Sequence, residues 1–143
     1  MIVIRSPLPD EMEQYFHLRW KILRAPWDQP RGSECDEMED ESYQLAAIAD
    51  DGKIVGCGRL QLNTVSEAQI RYMAVDTSQQ GSGIGKLIVA GLEEEAARRG
   101  ASKVILQARG NALDFYRACG YVVKEKTFLL FNSIQHYLME KEL

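Results

Sequence analysis

The chain has 143 residues, the length of one ordinary domain. It has 45% hydrophobic and 27% charged residues with 11 Gly and 4 Pro, a composition that excludes disordered, collagen-like and low-complexity classes. Its 17 Lys and Arg stand against 21 Asp and Glu, a net charge of -4, so no global basic field exists to collect a phosphate backbone and nucleic acid is not an expected partner.

Ile2 to Arg5 reads as a short strand, broken by Arg5 and Pro7 too soon to serve as an export signal. No apolar run approaches the ~18 residues of a membrane span. Asp10 is the expected N-cap of a helix in which Met12, Tyr15, Phe16, Arg19, Ile22 and Leu23 recur at three- and four-residue intervals, stopped near Ala25 by Pro26 and Pro30. Residues 26–33 form a loop. Glu34 to Glu41, where six of eight residues are acidic, reads as a short exposed helix or irregular segment with a solvated face, the other reading being a recruiter of cationic amines.

Tyr43–Ala49 and Lys53–Gln61 form a hairpin through Asp50-Asp51-Gly52, whose Asp-Gly step supplies the positive φ of a tight turn. Ala68–Val75 is strand-like and ends at Asp76. Ile84–Arg99 is the clearest helix, apolar along Ile84, Leu87, Ile88 and Leu92 and closed by Gly100. Lys103–Ala108 is a strand, and Ala112–Cys119 a short helix that follows Asn111 and stops at Gly120. Tyr121–Val123, Thr127–Phe131 and His136–Lys141 are strand material. This order is neither strictly alternating nor all-β, and predicts a single α/β (α+β) domain over 1–143, a mixed sheet with helices on its faces. The strand-rich C-terminal segment could extend a sheet across a homodimer. Cys35, Cys57 and Cys119 are odd in number and lack a CxxC pair or a His at ligand spacing, so they read as reduced thiols of a cytoplasmic protein with no metal site.

The segment from Met73 to Lys86 joins a strand end to a helix start with Gly81, Gly83 and Gly85 between them. Such glycines let main-chain N–H groups and the positive end of a helix dipole face an anion, and phosphate is the natural guest. A P-loop would need Gly where Gln80 stands and Ser or Thr where Leu87 stands. A dinucleotide fingerprint would need Gly at Lys86 or at Ile88, so both familiar motifs fail.

What fits is Gln/Arg-x-x-Gly-x-Gly/Ala, met by Gln80, Gly83 and Gly85 behind a strand ending Met73-Ala74-Val75. This resembles the acetyl-CoA motif of the GNAT N-acetyltransferase superfamily. The stretch Asn111-Ala-Leu-Asp-Phe-Tyr116-Arg-Ala-Cys-Gly120-Tyr121 is similar to the later signature of that family, and the two stand in the family's order. The resemblance implies the GNAT acyl-CoA N-acyltransferase fold, with central parallel strands that splay apart where they end near Val75 and Ala108. It implies acetyl-CoA as cosubstrate, its pantetheine arm against Met73, Ala74 and Val75 like an added strand. The pyrophosphate would sit on the N–H groups of Gln80, Gly81, Ser82, Gly83, Ile84 and Gly85, with Lys86 beside them and Asn111 on the arm.

The implied reaction is attack of a neutral primary amine, of a small molecule or a protein, on the thioester through a tetrahedral intermediate. A strand N–H near Ala74 or Val75 would polarise the thioester oxygen. Tyr116 matches the tyrosine that protonates the leaving thiolate, the two groups being close in ordinary acidity. Glu34, Glu37, Glu39, His17 and His136 are the candidates for general base. Alternation along the strand puts Arg71 on the face of Met73 and Val75, where it would favour an acidic acceptor group. Trp20 and Trp27, with Arg19 and Arg24, belong either to the core or to the acceptor pocket. A catalytically silent acyl-CoA-binding module is the alternative to the enzyme, and the absence of an obvious base is what favours it.

Overall fold

A computed structural model describes residues 1–143. Its strands are β1 (Val3–Arg5), β2 (Tyr43–Ile48), β3 (Ile54–Leu62), β4 (Glu67–Val75), β5 (Lys103–Arg109), β6 (Val122–Leu130) and β7 (Ile134–Glu142). They form one seven-stranded sheet in the order β1-β2-β3-β4-β5-β7-β6. Only β4 and β5 run parallel. Helix α1 (Met12–Leu23) packs on one face, and α2 (Ile84–Arg98) and α3 (Leu113–Ala118) on the other. No helix is long and apolar enough to cross a membrane.

The mixed α/β architecture is the expected one, with local differences. A 3-10 turn, Pro9–Glu11, precedes α1, and Glu11 rather than Asp10 occupies the cap position, its carboxylate accepting the Leu8 N–H at 2.8 Å. Tyr121–Val123 and Thr127–Phe131 belong to one strand, because β6 pairs with β7 through two register shifts that carry it past its irregular middle.

The two faces of the sheet differ chemically. Under α2, Ile88, Val89, Leu92 and Ala96 pack on Val55, Leu60, Ile70 and Val104 in an apolar core. Under α1 the apolar cluster is smaller, and beside it Arg19 and Arg59 are both 0% exposed. Two guanidinium groups so deep in the protein require carboxylates. Asp36 and Glu39 of the acidic stretch supply them, so these two acids are not part of the solvated face the composition predicts, whereas Glu37, Asp40 and Glu41 stay exposed. Glu39 accepts from Arg19 at 2.9 Å and from Arg59 at 2.8 Å, and Asp36 takes both Arg59 nitrogens at 2.6 and 3.1 Å. Burial opposes ionisation of Asp36, but hydrogen bonds from Arg59 and the Met38 N–H, with the charges of Arg59 and Arg71, hold its carboxyl down at about 2.

Two irregularities shape the region of the candidate site. First, β4 and β5 pair only from Glu67–Lys103 to Ile70–Leu106. Beyond that point β4 stays with β3 and β5 with β7, so the parallel strands part and leave the β5-facing edge of β4 unpaired from Arg71 to Val75. Second, the β3–β4 register shifts between Cys57 and Arg59, opposite Tyr72, whose φ of 57° lies in the left-handed region. The bulge reverses the alternation. Ala68 and Ile70 face the α2 core, Met73 and Val75 return to it, and Ala74 packs under α1. Arg71, one residue before the bulge, therefore does not share the face of Met73 and Val75; it reaches Asp36 on the α1 side at 3.2 Å.

Candidate functional site

Where β4 ends, Thr77–Gln79 makes one 3-10 turn and the glycine loop enters α2. Gly83 caps the helix at φ 89°, and Gly81 has φ 84°, values that glycine adopts without the cost a Cβ would bring. The Gln80 side-chain amide donates to the Val75 carbonyl at 3.1 Å and ties the loop to the strand. The main-chain N–H groups of Gln80, Gly81, Gly83, Ile84, Gly85 and Lys86 make no hydrogen bond within the chain, whereas that of Ser82 is used by the Gln79 carbonyl. Free donors at a helix N-terminus form an anion cradle, and a phosphate group suits it without lysine or arginine.

Two clefts open from this region and meet. One, of about 640 Å³, is lined by Met73, Ala74 and Val75 of β4, by Gln80, Gly81, Gly83, Ile84, Gly85 and Lys86 of the loop, and by Asn111. All the predicted cofactor residues except Ser82 are thus on one surface. Trp27 lies on this cleft too, its ring 4.6 Å from the Arg109 guanidinium. The second, of about 410 Å³, lies between the separated ends of β4 and β5 and is bounded by Arg24, Arg71, Tyr72, Phe128 and His136.

Tyr116, with Met73 and Arg109, lines both clefts. It is 8% exposed, and its ring packs edge-on against Phe115 at 4.9 Å and Tyr121 at 6.0 Å. The phenol oxygen has no hydrogen-bond partner within the chain, yet it is not sealed from the clefts. Burial raises its pKa above the ordinary 10, with nearby Cys119 adding to the effect, so the hydroxyl keeps its proton.

Asp76 donates its N–H to Val55 on the β3 side at 2.8 Å. Strand alternation then turns the Ala74 N–H toward β3 and those of Met73 and Val75 toward the unpaired edge. Of the two strand donors expected, Ala74 and Val75, the second faces the cleft.

The base candidates separate cleanly. His17 is exposed and lies tilted beside Trp20, Glu37 is exposed, Glu34 is 3% exposed and bound to the Gly32 N–H, and Glu39 is engaged by both buried arginines. None of the four lines either cleft, and His136 lines the second. Its Nδ1 lies 3.0 Å from the Ile134 carbonyl oxygen, which can only accept, so Nδ1 carries the hydrogen and Nε2 the free lone pair. Burial pushes the imidazole pKa below its ordinary 6.5; the Ile134 hydrogen bond opposes this, and the charges of Arg109 and Arg24 reinforce it.

The Arg-Trp segments of α1 also part company. Arg19 is locked in the core, Trp20 donates its indole N–H to the Gln29 carbonyl at 2.9 Å, and only Arg24 and Trp27 reach the clefts. Tyr72 went unnoticed in the sequence because its place depends on the bulge. Its ring has the guanidinium groups of Arg19, Arg59, Arg71 and Arg24 at 4.5, 4.9, 4.9 and 5.8 Å, attractions that offset its left-handed backbone.

The model of the acetyltransferase (GNAT) family matches residues 12–121. The "Uncharacterized N-acetyltransferase YjcF" of Bacillus subtilis (strain 168) is 33% identical over 134 residues, 93% of this chain and 94% of that protein. Among solved structures, an aminoglycoside 6'-N-acetyltransferase complexed with coenzyme A superposes with a TM-score of 0.81 at 18% identity, over 98% of this chain and 96% of that one. A GNAT-family acetyltransferase from Staphylococcus aureus Mu50 gives 0.83 at 16% identity, over 100% and 99%.

Proposed function

The chain belongs to the acetyltransferase (GNAT) family, and from that premise we propose that it transfers an acetyl group from acetyl-CoA to a primary amine, with the two clefts holding the two substrates. The observation that carries this reading is the meeting of an anion cradle and a second cleft at the unpartnered hydroxyl of Tyr116. Acetyl-CoA supplies the activated thioester. The six free N–H groups of the glycine loop hold its pyrophosphate, and the unpaired edge of β4 holds the pantetheine arm with Asn111 beside it.

At the junction, the Val75 N–H polarises the thioester oxygen. His136, neutral above its lowered pKa, takes the proton of the attacking amine through Nε2, and Tyr116 donates a hydrogen bond to the departing sulfur. The presence of a neutral imidazole on the second cleft favours the enzyme over a silent acyl-CoA-binding module. Incubating the protein with acetyl-CoA and a panel of amines while free thiol is measured tests the choice. Amine-dependent thiol release is expected; saturable acetyl-CoA binding without release for any amine would return the silent module.

Two further outcomes follow from the assignment. Activity depends on the unprotonated His136, so the wild-type pH profile falls on its acid side below the ordinary imidazole value. His136→Gln loses that limb and turns over about 10²-fold more slowly. A variant that keeps both the limb and the rate removes His136 from the reaction. In the cradle, Gly83→Ala places a Cβ on a left-handed residue in open space, so the empty loop of the variant relaxes and acetyl-CoA must restore the left-handed turn at a conformational cost of about 1–2 kcal/mol. Calorimetry should find acetyl-CoA binding about tenfold weaker in Gly83→Ala, whereas Ser82→Ala binds as the wild type does.

A further inference from the structure

We infer that the second cleft selects an amine that also carries an anionic group, a carboxylate or a phosphate, and that Arg24 and Arg109 are the residues that hold it. The inference rests on the acetyl-transfer reading and names the class of acceptor within it.

Three arginines line this cleft, Arg24, Arg71 and Arg109, and no aspartate or glutamate does, in a chain whose acids outnumber its bases. Other deep arginines have their counter-charges: Arg19 has Glu39, and Arg59 has Asp36 and Glu39. Arg71 shares Asp36 with Arg59. Arg24 and Arg109 have no carboxylate within the 4.0 Å of an ion pair. They donate to main-chain carbonyls alone, and both converge on the same one. Nη1 of Arg24 lies 3.0 Å and Nη2 of Arg109 3.1 Å from the Leu23 oxygen, with the Arg24 Nε on Ser33 at 3.1 Å. Two like charges are thus held side by side.

Aromatic rings fix both groups. Arg109 lies over Trp27 at 4.6 Å, and Arg24 stands between Tyr72 at 5.8 Å and Phe131 at 5.6 Å. After the carbonyl bonds each guanidinium keeps unused N–H donors in its planar fork, the geometry that grips a carboxylate or phosphate oxygen pair. Burial, then the Arg24 charge, pushes Arg109 down to about 10, so repulsion between the two groups is felt at Arg109. An anion brought by the acceptor relieves that repulsion, and a cationic acceptor adds to it. The phosphates of acetyl-CoA have the glycine loop, and Arg24 lies on the second cleft alone.

The test uses the full chain and acceptor pairs that differ in the anion: phosphoethanolamine against ethanolamine, and glycine against glycinamide, with spermidine as a cationic acceptor. Thiol release measures turnover. Calorimetry measures phosphoethanolamine and inorganic phosphate on protein saturated with coenzyme A, whose own phosphates then occupy the glycine loop. The anionic member of each pair should react with a kcat/KM at least about tenfold higher, and phosphoethanolamine should bind saturably. Arg24→Gln should raise its KM about tenfold and erase the preference, with the KM for acetyl-CoA unchanged as evidence of intact folding and partial recovery in Arg24→Lys. Neutral or cationic acceptors reacting as well as the anionic ones would overturn the inference and leave acetyl transfer standing. So would the absence of saturable phosphoethanolamine and phosphate binding, with or without turnover, or an undiminished preference in Arg24→Gln. Failure of coenzyme A to bind would instead overturn the reading beneath it.

Discussion

Tyr116→Phe should lower the turnover number for acetyl transfer by about 10² to 10³-fold, with the KM for acetyl-CoA and the melting temperature unchanged. The ring does the packing, against Phe115 and Tyr121, and phenylalanine retains it. Only the hydroxyl is lost, and that hydroxyl holds no bond to the protein whose breakage could unsettle the fold. Its raised pKa decides what it does. A thiol leaves as a thiolate of ordinary pKa near 8.5, and a phenol well above 10 does not surrender its proton freely to it. In the proposed reaction its contribution is a donor that keeps its proton and faces the negative charge developing on sulfur. Tyr116 therefore sets the height of the pH profile and places no alkaline limb below pH 10, so wild type and variant should trace parallel curves from neutral pH upward. A variant with full turnover would remove Tyr116 from the reaction; one with altered melting would make it a packing residue.

The parts legible in the sequence were those whose cause is local. Gly81, Gly83 and Gly85 report their own φ requirements, and the strand before them and helix behind them are adjacent in the chain, so the anion cradle could be read letter by letter. Tyr116 was legible because Asn111 and Gly120 bracket its helix. What escaped depends on partners far away. Asp36 and Glu39 look like solvated acids until Arg59, more than a hairpin away, is found buried beneath them. Arg19 and Arg24 share one helical stretch, yet one turns into the core and the other to a cleft, a difference set by the sheet beneath α1. The alternation that placed Arg71 beside Met73 assumed an unbroken strand, and a single left-handed residue at Tyr72 reversed it. His136 could be named as a base candidate but not chosen, since its tautomer depends on the Ile134 carbonyl and its lowered pKa on burial in the fold, with the charges of Arg109 and Arg24 adding to it.

Glu39→Gln should destabilise the protein by about 3 kcal/mol, because Arg19 then stays buried with no counter-charge. Arg19 has no other ion pair; its remaining bonds go to the Glu34 carbonyl and the Gln44 amide oxygen, and its Nε has none. Arg59 keeps Asp36, so the loss falls on one guanidinium rather than two. For a chain of this size the change corresponds to a fall in melting temperature of about 10 °C, read together with a urea titration. Glu37→Gln is the control: it removes the same charge from the same acidic run at an exposed position and should change stability by less than about 0.5 kcal/mol. Acid should act through Asp36 in the same sense. Its folded pKa lies below the ordinary 3.8, so its stabilisation is complete above that value and is lost as pH falls toward about 2. The damage should also reach the second cleft, since Tyr72 rests on Arg19 and Arg59, and Arg71 and the Tyr72 hydroxyl are both held by Asp36. At temperatures where Glu39→Gln is still folded, its KM for the acceptor should rise while its KM for acetyl-CoA does not. Equal stability of Glu39→Gln and Glu37→Gln would mean that the acidic run is a solvated face after all, and that the buried arginines draw their stabilisation from elsewhere.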